Sequence, residues 1–249
     1  TSPEEKQTLL FSATMPKEVA SIAKKFMHNP IEITVGSKNI CAANVSHEEY
    51  MINARDRYQA LKRLADANPD IFSVVFCRTK RDTQKVAEQL IADGYNAGAI
   101  HGDLSQNQRD IVMKQFRTRQ IQMMVATDVA ARGIDVDDIT HVINYQLPDE
   151  IETYTHRSGR TGRAGKEGIS MVIVSKSEAR KIKQIEKIIQ QKFQKKEIPS
   201  GMEICEKQLM HLANNIKETE INHDIDVYLP QIDEALKDFS KEELIKKFF

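Results

Sequence analysis

Short apolar runs alternate with amphipathic stretches over most of this chain. The runs at 71–77, 121–126 and 168–174 are too short for helices and rich in Val, Ile and Met, so they read as buried strands. Weaker runs predict further strands at 46–52, 96–100 and 141–145. Between them apolar residues recur every three or four positions, which predicts helices over 55–66, 80–93, 105–117, 150–157 and 177–193. The last of these carries Ile182, Ile185, Ile188, Ile189 and Phe193 on one side. Arg180, Lys181, Lys183, Lys187 and Lys192 lie on the other, a face that reads as solvated. Strands alternating with helices through short connections predict an α/β domain over 46–193, a mostly parallel sheet with helices on both faces. Ligands of such sheets sit beyond the carboxyl ends of the strands.

The two ends of the chain follow other patterns. Residues 1–36 read as strand, helix, strand. Residues 8–11 and 31–35 supply the strands, and a helix begins at Met15-Pro16, carries Val19, Ile22, Ala23 and Phe26 on one stripe, and stops at Asn29-Pro30. This piece is too small for a domain of its own, and residues 37–45 read as a linker. At the other end Ile198-Pro199-Ser200-Gly201 breaks the chain. Ser200-x-x-Glu203 and Ser240-x-x-Glu243 are capping-box patterns. Residues 198–249 are therefore expected to be a small all-helical region, with helices near 202–217 and 225–237 and another from 241. Its stripe of Cys205, Leu209, Leu212 and Ile216 needs cover that about 50 residues rarely supply. It should dock on the α/β domain or on a second copy of itself, as a homodimer through 198–249.

Composition narrows the possibilities. The chain has 249 residues, with 36 Lys and Arg against 36 Asp and Glu, so any nucleic-acid binding must come from local patches. Its three cysteines, Cys41, Cys77 and Cys205, show neither metal-ligand spacing nor disulfide arithmetic, which suits a reducing cytoplasm. No run approaches 18 apolar residues, so no membrane partner is expected.

The candidate chemistry is concentrated in two stretches. In His156-Arg157-Ser158-Gly159-Arg160-Thr161-Gly162-Arg163 three arginines recur every third residue, a spacing that places them on one face of a helical turn. Guanidinium groups stay charged and match phosphate oxygens as bidentate forks, and glycine lets the backbone approach a ligand. The second stretch, Ala126-Thr127-Asp128-Val129-Ala130-Ala131-Arg132-Gly133-Ile134-Asp135, follows a predicted strand. Thr127 can offer a hydroxyl and an N–H to a phosphate, and Gly133 with Asp135 forms a bend whose carboxylate suits a ribose hydroxyl. Asp128 reads as a local hydrogen-bond acceptor.

With four further segments, these stretches resemble the C-terminal half of a DEAD-box RNA helicase. Ser12-Ala13-Thr14 resembles the family's Ser-Ala-Thr motif, and Val74-Val75-Phe76-Cys77-Arg78-Thr79 its motif IV. His101-Gly102-Asp103 and Gln106-Asn107-Gln108-Arg109 are similar to its HGD and Gln-x-x-Arg elements. The resemblance covers residues 1–193 and implies a RecA-like, doubly wound sheet over 46–193, preceded by the closing elements of a first RecA-like domain. It implies that Arg160 and Arg163 are catalytic arginine fingers, and that Gly133 and Asp135 touch the nucleotide. It implies that Thr79, Gly102, Arg109 and Thr127 hold RNA by its phosphate backbone. Ser12, Thr14, Arg132, His156 and Arg157 are implied in coupling and interdomain contacts. Some bacterial members carry a helical dimerisation domain after the second RecA-like domain.

The absences are as informative. The sequence contains no G-x-x-x-x-G-K-[ST] phosphate loop and no Asp-Glu-Ala-Asp after an apolar strand. Ile232-Asp233-Glu234-Ala235-Leu236 lies after the arginine cluster, in a helical pattern, and is rejected as a magnesium-binding pair. ATP and magnesium are therefore expected to be held mainly by a first RecA-like domain outside this chain. The chain reads as an excised piece, inactive alone, of an enzyme that couples ATP hydrolysis to RNA unwinding. A DNA helicase of the same superfamily and a non-catalytic RNA-binding or dimerisation module are the competing readings. His156, where DEAH-type and RecQ-type relatives usually carry Gln, and the Ala130-Ala131-Arg132-Gly133-Ile134-Asp135 string favour the DEAD-box reading over the DNA helicase.

Overall fold

The computed structural model describes residues 3, 5–11, 17–33 and 44–248. In chain order these form α1 (Lys17–Phe26), β1 (Val45–Met51), α2 (Arg57–Asp66), β2 (Ser73–Phe76), α3 (Lys80–Ala92), β3 (Ala97–Ile100), α4 (Gln106–Arg117) and β4 (Met123–Ala126). There follow β5 (His141–Asn144), α5 (Thr153–Ser158), β6 (Gly168–Val174), α6 (Ala179–Ile189), β7 (Gln194–Lys196), α7 (Gly201–Glu218), α8 (Leu229–Leu236) and α9 (Lys241–Phe248). The strands make one parallel sheet in the order β3-β4-β2-β5-β6-β1-β7. Two compact units are distinguishable: residues 1–62 with 70–198, and 63–69 with 199–249.

The sheet unit forms because its central strands are apolar at most positions and wholly buried. All four residues of β2, β4 and β5 are buried. Phe72, Val74, Phe76, Met113, Phe116, Met124 and Val142 build one cluster, within which Phe72 and Phe116 stack at 4.4 Å. Leu147, Tyr154, Val172, Val174, Ile182, Ile185, Ile189 and Phe193 build another. Burying a side chain of this size stabilises by about 1.5–3 kcal/mol relative to exposure, so these clusters fix the sheet.

Three expectations need correction. Residues 8–11 and 31–33 are not strands. Leu9, Phe11, Ile31 and Ile33 stand exposed, and a strand exists only where a neighbour takes up its backbone hydrogen bonds. Second, the helix expected to run to 193 ends at Ile189, where Gln190 turns into the left-handed region at φ 55°. Third, a seventh strand, β7, follows it and pairs with β1. The sheet unit thus continues past 193 to Ile198.

In the second unit α7 opens with the expected capping box, Ser200 Oγ accepting from Glu203 N and Glu203 Oε2 from Ser200 N. Gln208 Nε2 donates to Asp66 O at 2.5 Å and Arg63 Nη1 to Pro199 O at 3.4 Å. Pro230 sits in the first turn of α8, where its missing N–H costs nothing. Leu209, Leu212, Ile216, Ile225 and Ile232 are all exposed.

Two buried histidines make the fold acid-sensitive. His47 Nδ1 shares a hydrogen bond with Tyr154 Oη at 2.7 Å, and the ring lies against Phe193. Burial lowers its pKa to about 4. Burial also lowers His141 to about 4, with Glu48 opposing. Both histidines are neutral in the folded protein at pH values where the unfolded chain, with pKa about 6.5, takes up protons. Stability is therefore complete above about pH 6.5 and falls as the pH drops toward 4. Thermal melts across that window should show the decline, and His141→Gln should flatten it. A melting temperature independent of pH between about 6.5 and about 4.5 would contradict this account.

Candidate functional site

The strand order determines what meets at the carboxyl edge. β3, β4, β2 and β5 are neighbours, so the turns after them, at Gly102, Thr127, Thr79 and Gln146, stand side by side. Thr79 is the N-cap of α3, its Oγ1 accepting from Asp82 N at 3.0 Å, and it is exposed. At that helix end the N–H groups of Lys80 and Arg81 have no intrahelical acceptor, which suits an anion. A Cβ placed on Gly102 would lie 3.5 Å from Lys80 Cε, and Lys80 Nζ pairs with Asp103. Lys80 thus joins the Thr79 and Gly102 turns. Its signal in the sequence was the basic run Arg78-Thr79-Lys80-Arg81.

Thr127 is buried. Its Oγ1 accepts from Ala130 N and its own N–H points at Ile100 O, both at 3.4 Å, so it folds the turn that follows β4. Arg109, on α4, braces the same turn: its Nη2 donates to Ala130 O at 2.8 Å and to Arg132 O at 3.3 Å. Gly133 then takes φ 77°, a left-handed conformation that suits glycine. Asp135, exposed, reaches Arg163 Nη1 at 2.7 Å.

The three arginines do not share a face, contrary to the spacing argument. α5 ends at Ser158 and Gly159 closes it, so the chain has left the helix before Arg160. Arg160 is half-buried and donates from Nη1 to Ile134 O at 2.9 Å. Burial draws its pKa down, Arg163 adds to this and Asp135 opposes it. Even so, a guanidinium remains charged at any working pH. Arg163 Nε donates to Gly159 O at 3.1 Å. Between them Thr161 anchors the loop, its Oγ1 donating to Ile139 O at 2.5 Å. These bonds bring two half-buried guanidiniums and one exposed carboxylate, Asp135, into a single patch.

Arg157 is different, and the expectation of an interdomain contact does not fit its place. Its side chain is 1% exposed. Nε and Nη2 fork onto Asp128 Oδ1 and Oδ2 at 2.6 and 2.7 Å, and Nη1 donates to Asn144 Oδ1 at 3.0 Å and Gln146 O at 2.7 Å. The guanidinium also lies 4.9 Å from the centre of the Phe76 ring. Arg132 and His156 are exposed. Ser12 and Thr14 lie outside the described residues. Asp233 and Glu234 fall in α8, as their helical pattern implied. Among the described residues no group of three or more His, Cys, Asp or Glu could hold a metal ion. No helix among them is long and apolar enough to cross a membrane.

Comparison with known proteins matches the same segments. Residues 56–165 match the family described as the helicase conserved C-terminal domain. Residues 204–249 match one described as the helical domain of a probable ATP-dependent RNA helicase. The DEAD-box ATP-dependent RNA helicase CshA of Bacillus cereus is 39% identical over 236 residues, 95% of this chain and 45% of the relative. The chain thus spans about half the length of the curated relatives it matches. Among solved structures, a DEAD box protein from Methanococcus jannaschii is 45% identical with a TM-score of 0.60, covering 78% of this chain and 52% of that one. Dbp5 of S. cerevisiae bound to RNA and ADP BeF3 is 28% identical with a TM-score of 0.73, covering 84% and 55%.

Proposed function

The chain belongs to the DEAD-box family of ATP-dependent RNA helicases, and from that premise we propose that it serves an RNA-remodelling ATPase by gripping RNA and supplying arginines for hydrolysis. One observation carries the reading. Arg163 Nη1 lies 2.7 Å from Asp135 Oδ1, so two motif segments 28 residues apart in sequence meet at one place, where the carboxylate is open to solvent and the guanidinium partly so.

The residues fit one edge of a nucleotide. Asp135 can accept from ribose hydroxyls, and the backbone at Gly133 permits close approach. Arg160 and Arg163 can turn from their present acceptors toward phosphate oxygens and stabilise the charge that builds as the γ-phosphoryl transfers. Magnesium and the triphosphate would be held mainly by the first RecA-like domain of the same protein. ATP supplies the phosphoanhydride whose hydrolysis drives the cycle. The Thr79 helix end, Gly102, Arg109 and the Thr127 turn would hold single-stranded RNA by its phosphates, which carry no base information. Arg132 and His156 are exposed where a partner domain could meet them. Ser12 and Thr14 would couple hydrolysis to strand separation, and a reducing cytoplasm is the proposed setting.

The 249-residue chain alone should bind single-stranded RNA without base preference and without hydrolysing ATP. With about three or four phosphate contacts, the logarithmic salt slope should be roughly −2 to −3. Fluorescence anisotropy with oligomers of different sequence at several salt concentrations checks this. A salt-independent affinity or strong base discrimination would remove the phosphate-contact reading. RNA-stimulated ATP hydrolysis by the full-length protein is the direct test of function, and its absence would overturn it. Faster unwinding of DNA than of RNA duplexes would favour the DNA-helicase alternative.

For the helical region we propose a symmetric homodimer through 198–249. Leu209, Leu212 and Ile216 are each more than two-fifths exposed on one helix, and two-fold dimers are the commonest homo-oligomers. Light scattering should give a dimer mass that Leu209→Glu with Leu212→Glu reduces to a monomer. A monomer mass at every concentration would sink the dimer.

A further inference from the structure

We propose that Arg157 and Gln146 are positioning residues: they tie the two turns that face RNA to the helix leading into the catalytic arginines. The inference rests on the RNA-stimulated ATPase proposed above and deepens it. From Arg157 the fork to Asp128 reaches the residue directly after Thr127. A second arm of the same guanidinium reaches Gln146 O. The Gln146 side chain continues the line: its Oε1 accepts from Arg78 N at 2.8 Å and its Nε2 donates to Asp82 Oδ2 at 3.1 Å. Asp82 is the residue whose N–H caps onto Thr79. A continuous chain of hydrogen bonds thus runs from the Thr127 turn through the end of α5 to the Thr79 turn, and Arg160 and Arg163 follow α5 directly.

The energetics favour a positioning role over mere stability. A guanidinium taken out of water loses several kcal/mol of hydration, and a buried ion pair is often no more stable than apolar residues of the same volume. What the pair does supply is direction, because a planar fork accepts a carboxylate in one geometry only. Phosphates seated on the two turns therefore act on one rigid body that also carries the fingers. No motif marks Gln146 in the sequence.

The test uses Gln146→Glu, which sets a carboxylate against that of Asp82. Like charges at this separation repel strongly. In the full-length protein, titrated with a single-stranded uridine oligomer of about 20 nucleotides, the RNA concentration for half-maximal ATPase should rise about tenfold, within the range of coupling between contacting residues. RNA-free turnover and melting temperature should change little. Adding Asp82→Asn gives the introduced carboxylate a donor again and should restore the wild-type half-saturation, with the melting temperature unchanged across the series. Gln146→Met, which removes the links without adding charge, should move half-saturation in the same direction. In the 249-residue chain, hydrogen exchange in Gln146→Glu should quicken together in segments 79–83 and 127–132. Unchanged half-saturation, failure of the Asp82→Asn rescue, or exchange confined to the Gln146 turn overturns the proposal. A wild-type protein without RNA stimulation would instead overturn the function, while the exchange measurement still decides whether the two turns are linked.

Discussion

Arg163→Ala in the full-length protein should cut RNA-stimulated ATP turnover by roughly 10³–10⁵, the usual cost of losing an arginine finger. That loss corresponds to about 4–7 kcal/mol of transition-state stabilisation. The contacts of Arg163 in this structure are much weaker. Its pair with Asp135 is 2.7 Å long, with the guanidinium side chain 25% and the carboxylate 84% exposed, and a pair whose carboxylate stands in water contributes on the order of 1 kcal/mol. A phosphate oxygen can therefore take the guanidinium from Asp135 at little cost, freeing the carboxylate for a ribose. RNA affinity without nucleotide should change little, because the Thr79 and Gly102 turns do not touch Arg163. Arg163→Lys should recover only part of the rate, since a point charge cannot form a fork. Steady-state turnover at saturating RNA checks this, and an Arg163→Ala enzyme within about tenfold of wild type would remove the residue from catalysis. Arg160→Ala should act in the same direction but also lose packing, because that side chain is half-buried.

The fold was legible where burial leaves a continuous apolar run. β2, β4 and β6 are such runs. β7 left no trace, because Gln194-Lys195-Lys196 is polar, exposed and only three residues long. Residues 8–11 and 31–33 err the other way: an apolar run states a need for cover, and a strand needs a hydrogen-bonding neighbour as well. The candidate site was legible as motifs but not as geometry. Spacing placed Arg157, Arg160 and Arg163 together, whereas Gly159 ends the helix, so that the first is buried and the other two lie half-buried in the loop beyond it. Asp128 read as a local acceptor and proved to be the partner of a buried arginine 29 residues away. Long-range polar pairing leaves no periodic signature, so nothing in the chain marked it.

That pair carries the second large expectation. Asp128→Ala should destabilise the sheet unit by about 3 kcal/mol, the lower end of the range for breaking a buried ion pair from one side. The lower end applies because Asp128 keeps 34% of its side chain in water while Arg157 keeps 1%. The remaining partners of Arg157, Asn144 Oδ1 and Gln146 O, are neutral acceptors and cannot compensate a whole charge. At about 2–4 °C per kcal/mol for a unit of this size, the melting temperature should drop by about 10 °C. The decisive comparison is the double variant Asp128→Ala with Arg157→Met. It removes the stranded charge and lets an apolar chain of similar length lie against Phe76, so most of the lost stability should return. Its RNA-stimulated turnover should stay low, because the fork that fixes the Thr127 turn is gone. A double variant no more stable than Asp128→Ala would show that the single loss came from packing or from the turn itself rather than from a buried unpaired charge.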